Sequence, residues 1–253
     1  MYVGTPTIDP WLEVPAPLPD AALRLFCLPY AGAGPVVFRR WATEPDAGLS
    51  GVELATVRLP GRAPRLDEPA LRDMDTLVSA LAHSVRRQLD RPYAMLGHSL
   101  GGRVAFELIR QLRRDGARPP VALVVSGSRP PRRQRARQLH ELPDAELVDW
   151  LRSLGGTDPR LLANLEVVRM LLPSLRADLQ VEASHVYRAE PALRCPILAF
   201  AGTDDPEAPA DQMADWQAET DGLFHLRVLP GNHFFLQAER HTILGALATQ
   251  LRP

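Results

Sequence analysis

The sequence predicts an α/β fold in which a mostly parallel central sheet carries helices on both faces. Apolar runs of strand length alternate with helical segments along most of the chain. Within each run the apolar character is continuous rather than alternating, as in parallel strands that are covered on both faces. The length of 253 residues and a hydrophobic content of 45% are enough for one large domain with a sizeable core. We therefore expect residues 1–253 to form a single domain.

Strand-like runs and helical segments can be placed in order along the chain. The expected strands are 23–28, 52–59, 93–96, 121–126, 197–200 and 224–229, and the expected helices fall near 70–89, 102–114, 210–219 and 234–251. Before the first strand, residues 1–20 are polar and rich in proline, without the basic and apolar regions of a secretory signal. We expect those residues to be a poorly ordered leader.

The segment 129–190 interrupts the alternation because it contains no convincing strand. Pro143 begins a helix that should end near Gly155, and Pro159 begins a leucine-rich run that should be interrupted at Pro173. The leucines of this run recur at helical spacing and form a wide apolar stripe. We interpret 129–190 as a helical lid, inserted between two strands and lining an acyl pocket. The alternative is that most of the leucines pack on the sheet as core.

The strongest chemical signal is Gly-His-Ser-Leu-Gly at residues 97–101, between a strand-like run and a helical segment. This is the strand–turn–helix context of a nucleophile elbow, in which a strained turn presents a serine hydroxyl group. Both glycines have a steric reason, because larger residues on either side of such a turn would clash. The pattern nominates Ser99 as a nucleophile, although a glycine-rich turn with a capping serine has the same letters.

A serine hydroxyl needs a histidine to accept its proton and a carboxylate to orient that histidine. His233 fits best, because it follows the last strand-like run and the expected chain order is Ser, acid, His. The acid should follow the preceding strand, where Asp204 and Asp205 are adjacent. The Gly-x-x-Asp spacing favours Asp205, and Asp204 would then organise the turn by accepting backbone hydrogen bonds. The histidines that fit less well are His83, His98, His140, His185, His225 and His241.

Two backbone N–H groups should stabilise the oxyanion that forms when the serine attacks. Leu100 supplies one, since it directly follows the nucleophile at a helix N-terminus. The second should come from the loop 29–34, Pro-Tyr-Ala-Gly-Ala-Gly, where small residues let the backbone approach a substrate closely. We nominate the N–H of Ala31, with a plain flexible turn as the alternative.

Composition excludes several other classes of chemistry. All 29 basic residues are arginine, so the chain has no Schiff-base lysine, Ser-Lys dyad or Walker lysine. The net charge of −1 does not favour nucleic acid or an anionic membrane, and no apolar run is long enough to span a bilayer. Cys27 and Cys195 are expected to be buried, reduced thiols of a cytoplasmic protein. We expect no metal and no cofactor.

With these residues assigned, the sequence resembles the type II, or editing, thioesterases that accompany polyketide synthases and nonribosomal peptide synthetases. The resemblance runs from about Leu23 to the C-terminus. The matching segments are Leu-Pro-Tyr-Ala-Gly-Ala-Gly at 28–34, Arg-Leu-Pro-Gly-Arg at 58–62, Gly-His-Ser-Leu-Gly-Gly at 97–102, Gly-Thr-Asp-Asp at 202–205 and Gly-Asn-His-Phe-Phe at 231–235. Ala33 and Leu100 depart from a frequent glycine and a frequent methionine, and neither change removes a catalytic group.

The resemblance implies an α/β-hydrolase fold with Ser99, Asp205 and His233 as the triad and Ala31 and Leu100 as the oxyanion donors. It also implies acyl substrates that are thioesterified to the phosphopantetheine arm of a carrier protein, a flexible lid and a monomeric state. A small-molecule carboxylesterase, an acyltransferase and a non-catalytic carrier-binding module remain alternatives.

A basic segment stands at the start of the expected lid. Its arginines are Arg129, Arg132, Arg133, Arg135 and Arg137. They are interpreted either as a solvated surface or as a docking site for an acidic carrier domain.

Overall fold

The central sheet of the computed structural model confirms the predicted fold class. The structure describes residues 9–43, 49–133 and 137–250. Within them the strands are β1 (Leu12–Glu13), β2 (Leu23–Leu28), β3 (Val52–Val57), β4 (Tyr93–His98), β5 (Leu123–Ser126), β6 (Ile197–Gly202) and β7 (Phe224–Leu229). They lie in the order β1-β3-β2-β4-β5-β6-β7. The pairing of β1 with β3 is antiparallel, and every other pairing is parallel.

The helices of the described residues alternate with these strands. They are α1 (Val36–Thr43), α2 (Met74–Arg86), α3 (Leu100–Arg114), α4 (Asp144–Leu154), α5 (Pro159–Ala163), α6 (Leu165–Ser184), α7 (Ala210–Met213), α8 (Phe235–Ala238) and α9 (Arg240–Gln250), with short 3₁₀ helices at Leu139–Glu141 and Ala214–Glu219. The sequence did not predict α1, which has only eight residues. Its side chains Phe38 and Trp41 are nevertheless fully buried against the sheet.

Helices cover both faces of the sheet, and β2 shows how one strand serves both layers. Phe26 and Leu28 point into the core beneath α2 and α3. Leu25 and Cys27, the alternate residues, point into the core beneath α1 and α9. A strand that is buried on both faces needs apolar residues at every position, which explains the continuous apolar runs of the sequence.

The expected leader is partly wrong. Residues 1–8 lie outside the described residues, but residues 9–20 contribute β1 to the edge of the sheet. Leu12 is buried in the core and pairs with Val57, and the Trp11 ring stacks on the guanidinium group of Arg65 at 4.2 Å. This short strand contains only two residues, so the pattern of alternation could not reveal it.

The chain between β5 and β6 forms α4, α5 and α6. Helix α4 ends at Gly155, whose φ of 74° is the left-handed conformation of a helix C-cap. The expected interruption at Pro173 is wrong, because α6 runs through this residue for 20 residues. The break lies instead at Asn164, whose side chain accepts hydrogen bonds from the first N–H groups of α6. A proline inside a helix removes one hydrogen bond, and tertiary packing of α6 outweighs that loss here.

Candidate active site

The loops that carry the expected site residues all leave the same edge of the sheet. Ser99 directly follows β4, and Asp205 and His233 follow β6 and β7 within four residues. The 29–34 loop follows β2, which pairs directly with β4. Carboxyl ends of parallel strands form one edge, where α/β proteins place their ligands. The topology therefore gathers residues that are far apart in the sequence.

Ser99 has the strained backbone of a nucleophile elbow. Its φ of 53° and ψ of −121° make it the one non-glycine residue with positive φ among the described residues. It occupies the N-cap position of α3, but its side chain makes no capping hydrogen bond. The alternative of an ordinary capping serine therefore does not fit, and the hydroxyl group is left for other contacts.

The flanking glycines are required by close backbone contacts. A Cβ atom on Gly97 would lie 2.1 Å from the carbonyl oxygen of Gly101. A Cβ atom on Gly101 would lie 2.2 Å from the carbonyl oxygen of Leu28. Both distances are far inside van der Waals contact, so the steric reason given for each glycine holds. The second contact also shows that the start of α3 lies against the end of β2.

Ser99, His233 and Asp205 form one continuous hydrogen-bonded chain. The Nε2 atom of His233 lies 3.0 Å from the Ser99 Oγ, and its Nδ1 atom lies 2.9 Å from each carboxylate oxygen of Asp205. His233 and Asp205 are both 4% exposed. An imidazole that bridges a hydroxyl group and a buried carboxylate is arranged to accept the hydroxyl proton.

The surroundings of Asp205 keep its carboxyl group ionised. Burial raises the pKa of this group, but the hydrogen bond and charge of His233 together with two backbone hydrogen bonds lower the pKa below its ordinary value. The backbone N–H groups of Glu207 and Ala208 also donate to its Oδ1 atom, at 2.8 and 3.2 Å, and favour the carboxylate. An ionised Asp205 can stabilise a protonated imidazole next to it.

Asp204 is not part of this chain of hydrogen bonds. Its side chain is exposed and accepts a hydrogen bond from the Thr203 hydroxyl at 2.8 Å. The expectation that it organises the turn by accepting backbone hydrogen bonds is wrong, since Asp205 accepts them. The structure thus places Asp205, rather than Asp204, against His233.

The Ala31 loop lies beside the elbow, as the sequence analysis required. Ala33 N–H donates to the Tyr30 carbonyl at 3.0 Å, which closes a tight turn, and Gly32 supplies the positive φ of 78° that this turn needs. The Ala31 N–H has no acceptor among the described residues. Leu100 begins α3, so its N–H has no acceptor within the helix. Both groups can thus donate to a ligand.

With this geometry in place, the chain can be compared with known proteins. The family model described as "Thioesterase domain" matches residues 23–251. The chain belongs to the thioesterase family. The thioesterase PikA5 of Streptomyces venezuelae is 37% identical over 95% of this chain and 85% of its own length. The gramicidin S biosynthesis protein GrsT of Aneurinibacillus migulanus is 36% identical over 92% of this chain and 90% of its own.

Solved structures of thioesterases have the same architecture. RedJ, from the prodiginine pathway of Streptomyces coelicolor, superposes with a TM-score of 0.86 and 39% identity, covering 91% of both chains. The type II thioesterase BorB from the borrelidin biosynthetic cluster superposes with a TM-score of 0.88 and 38% identity, covering 96% of this chain and 98% of its own. These similarities confirm the predicted resemblance to type II thioesterases and the α/β-hydrolase fold.

The thioesterase also contains a buried ion pair beneath the Ala31 loop that the sequence analysis did not assign. Asp178 of α6 accepts a hydrogen bond from the Gly32 N–H at 2.7 Å. The same carboxylate pairs with both terminal nitrogens of Arg62, which also donates to the Ala33 carbonyl at 3.2 Å. Asp178 and Arg62 are 2% and 7% exposed. The Leu-Pro-Gly-Arg segment was a signal for Arg62, but nothing in the sequence indicated its partner.

Two further contacts connect the α4–α5 part of the thioesterase to loops of the site. The indole N–H of Trp150 donates to Glu207 Oε1 at 2.9 Å, next to Asp205. The side-chain amide of Asn232 donates to the Gly155 carbonyl at 3.3 Å, next to His233. These two residues were also missed, because each contact joins positions far apart in the chain.

Most leucines of the α4–α6 segment pack against one another. The buried members of this cluster are Leu139, Leu147, Val148, Leu151, Leu162, Val168, Leu172, Leu175 and Leu179. Ala31 of the 29–34 loop packs against the same cluster. The side chains of Leu161 and Leu165 point to solvent instead, with 48% and 70% of their surface exposed. The cluster forms a core of its own, separate from the two cores on the faces of the sheet, so the alternative that these leucines pack on the sheet as core is wrong for them.

The arginines at the start of this segment are paired with acids of the same chain. Arg129 pairs with Glu207 at 2.9 Å, Arg132 with Glu219 at 2.6 Å, Arg133 with Asp215 at 2.5 Å and Arg137 with Glu146 at 2.7 Å. Arg135 lies outside the described residues. Because the charges of these four arginines are compensated locally, they give little support to docking of an acidic carrier.

His98, next to Ser99, is completely buried behind the site. Its Nδ1 atom lies 3.0 Å from the Ser126 hydroxyl oxygen, and its ring packs 5.2 Å from the ring of His233. Burial, followed by repulsion from His233, lowers the pKa of His98 to about 3. His98 is therefore a neutral packing partner of the His233 ring.

Both cysteines are buried, as the sequence analysis expected. Cys27 and Cys195 are both buried free thiols. Burial raises the pKa of the Cys195 thiol to about 11 and that of Cys27 still further, so neither is a reactive thiolate. Within the described ranges, no helix combines the length and the apolar character that crossing a bilayer requires.

Proposed function

We propose that the thioesterase hydrolyses acyl groups from the phosphopantetheine arm of carrier proteins, through an acyl-enzyme on Ser99. The observation that carries this proposal is the position of His233, which lies 3.0 Å from the Ser99 hydroxyl oxygen and 2.9 Å from the Asp205 carboxylate. The assignment of carrier-linked substrates is supported by the similar proteins, which include a gramicidin S biosynthesis protein and a type II thioesterase from the borrelidin biosynthetic cluster.

In the first half-reaction, the Ser99 oxygen attacks the thioester carbonyl while His233 Nε2 takes the hydroxyl proton. The developing oxyanion accepts hydrogen bonds from the N–H groups of Ala31 and Leu100, each of which contributes about 3 kcal/mol of transition-state stabilisation. The C–S bond then breaks, and the sulfur leaves easily because a thiol has a pKa of about 8.5. His233 returns its proton to the departing sulfur.

In the second half-reaction, water replaces the serine as the nucleophile. His233 accepts a proton from the water, which attacks the acyl-enzyme carbonyl at the same oxyanion site. The C–O bond to Ser99 breaks, the serine recovers its proton from His233, and the free acid leaves. Asp205 stabilises the imidazolium in both halves without itself taking the proton.

The α4–α6 segment is proposed to act as a lid over this site. Its apolar core packs on Ala31, and helix α4 with its C-cap residue contacts the loops of Asp205 and His233. A cover built this way limits the access of water to the acyl-enzyme, so that hydrolysis depends on a correctly seated substrate.

A cytoplasmic monomer is the proposed working state. Two buried thiols that form no disulfide suit a reducing compartment. A site whose described residues come from one chain needs no second copy to be complete. Sedimentation analysis at micromolar concentration would show a dimer if this assignment is wrong.

The test of the function compares acyl-carrier thioesters with matched oxygen esters, in the wild-type protein and in Ser99→Ala. We expect the wild type to prefer the carrier thioester and the variant to lose turnover while keeping its circular dichroism spectrum. A preference for the free oxygen ester would indicate a small-molecule esterase. Wild-type turnover by Ser99→Ala would refute the mechanism, and failure of a fluorophosphonate to label Ser99 would indicate a non-catalytic binding module.

A further inference from the structure

The turn that carries the Ala31 N–H is held from outside by two residues of distant segments. Its internal hydrogen bond joins Ala33 N–H to the Tyr30 carbonyl. From α6, the Asp178 carboxylate accepts from the Gly32 N–H at 2.7 Å, and from the 58–62 segment, Arg62 donates to the Ala33 carbonyl at 3.2 Å. Side chains outside the turn thus fix the Ala31–Gly32 and Ala33–Gly34 peptide groups, and the internal hydrogen bond fixes the Gly32–Ala33 peptide between them.

Asp178 and Arg62 also fix each other. One guanidinium nitrogen lies 2.6 Å from Oδ1 of the carboxylate, and a second nitrogen contacts Oδ2. Such a two-point pair has a defined orientation as well as a short distance. The two residues are 116 positions apart, so the pair joins α6 to the sheet side of the site.

Stability alone is a poor explanation for this arrangement. Removing two charges from water is costly, and a buried ion pair can often be replaced by apolar residues without loss of stability. An ion pair does, however, define one geometry where apolar contacts would tolerate several. The turn needs such definition, because a donor displaced by about 1 Å from an oxyanion can cost roughly 100-fold in rate.

We propose that Asp178 and Arg62 are positioning residues that hold the Ala31 turn in its oxyanion-binding conformation. The inference rests on the proposed function, in which Ala31 donates to the oxyanion. It adds that the α6 helix must be seated for the oxyanion site to be complete. Leu171 and Leu175 of α6 strengthen this dependence, since their side chains lie about 3.4–3.5 Å from where a Cβ atom of Gly32 would be.

The chain offers a matched control in a second buried ion pair. Arg24 and Glu53 are 7% and 6% exposed and pair at 2.7 Å. They are paired in register near the amino ends of β2 and β3, whereas the site lies at the carboxyl ends of the strands. Changes to Glu53 therefore perturb a similar buried charge without touching the Ala31 turn.

The experiment compares Asp178→Asn with Glu53→Gln, using carrier-linked thioesters at temperatures well below unfolding. Asp178→Asn is expected to lower kcat roughly 10- to 100-fold with KM changed less than about threefold. The affinity for a trifluoromethyl ketone, which forms a tetrahedral adduct with Ser99, should fall by a similar factor. Glu53→Gln should leave kcat and the affinity for the ketone unchanged, even if it lowers Tm by as much as Asp178→Asn does.

If Asp178→Asn fails to fold, the double variant Arg62→Met/Asp178→Leu is used instead. It replaces the ion pair by apolar residues, and the same kcat, KM and ketone affinity are measured. Low kcat in a folded double variant supports the positioning role. A kcat within about twofold of wild type in either variant would overturn the positioning role, because a displaced Ala31 N–H should lower the rate. Absence of turnover in the wild type would instead overturn the proposed function, so the two failures are distinguishable.

Discussion

Trp150 donates its indole N–H to the Glu207 carboxylate at 2.9 Å, two residues after Asp205. The backbone N–H of Glu207 in turn donates to Asp205 at 2.8 Å. A side chain of α4 therefore touches the same residue that orients the proposed catalytic acid. The guanidinium group of Arg129 also donates to Glu207, both to its backbone carbonyl and to its side-chain carboxylate.

This shared attachment predicts that Trp150 and Arg129 act together on Asp205. Trp150→Phe should lower the free energy of unfolding by about 1 kcal/mol, the typical net value of one hydrogen bond. Its kcat should change little, because Arg129 still holds Glu207. Combining Trp150→Phe with Arg129→Met should lower kcat by more than the product of the single effects. Steady-state kinetics on the four proteins measures this coupling, and simple multiplicativity would contradict it.

The choice between the two adjacent aspartates can be tested directly. Asp205→Asn removes the charge that stabilises the His233 imidazolium, and in comparable triads such a change costs about 10⁴ in kcat. Asp204→Asn is the matched control, since this exposed side chain only accepts from Thr203, and its kcat should stay within about twofold of wild type. Equal losses in the two variants would argue against the assigned triad.

His98 should make the protein sensitive to acid. Its ordinary pKa of 6.5 is lowered to about 3 in the folded state, mainly by burial. Between these two pH values, His98 is protonated in the unfolded chain and neutral in the folded protein. Between about pH 6.5 and pH 3, the free energy of unfolding should therefore fall as the pH falls.

The measurement is the dependence of Tm on pH for the wild type and for His98→Gln, which cannot titrate. The variant should lose less stability than the wild type between pH 7 and pH 4. His241→Gln, at an exposed position, is the control and should follow the wild-type profile. Parallel profiles for wild type and His98→Gln would show that His98 is not the acid-sensitive group.

The positive φ of Ser99 predicts a conflict between stability and activity. A non-glycine residue with a φ of 53° stores strain of about 1 kcal/mol or more, which glycine would not. Ser99→Gly should therefore unfold at a higher temperature than Ser99→Ala, with both variants inactive. Thermal denaturation of the two proteins decides the point, and a lower Tm for Ser99→Gly would mean that the elbow is unstrained.

The sheet and the elbow could be predicted because their causes are local. A strand that is buried on both faces must be apolar throughout, and Gly97 is required by the carbonyl of Gly101 within the same turn. Gly101 is recognised from the same local pattern, although the contact that requires it comes from Leu28 at the end of β2. The strand β1 and the helix α1 were not predicted, because segments of two and eight residues are too short to show a periodic pattern. Pro173 was misleading for the opposite reason, since its local preference for breaking a helix is overruled by tertiary packing.

The supporting contacts of the site could not be predicted, because their causes are not local. Nothing near Asp178 in the sequence points to Arg62 or Gly32, and only the fold brings these residues together. The basic segment had the same difficulty, because the acidic partners of Arg129, Arg132 and Arg133 follow 70 to 90 positions later. Residue types and spacing nominate the proposed reacting groups, whereas only the folded structure shows which contacts hold them in place.

The three attachments of the α4–α6 segment bear on how such enzymes can be recombined. A chimera that takes this segment from a relative would replace Trp150, Gly155 and Asp178, but would keep Arg62 and the loops they meet. An incoming helix without a carboxylate at the Asp178 position would leave the buried guanidinium group of Arg62 without this ion-pair partner. Transplants intended to change acyl preference should therefore carry both ends of each attachment, or they will lose turnover before selectivity can be compared.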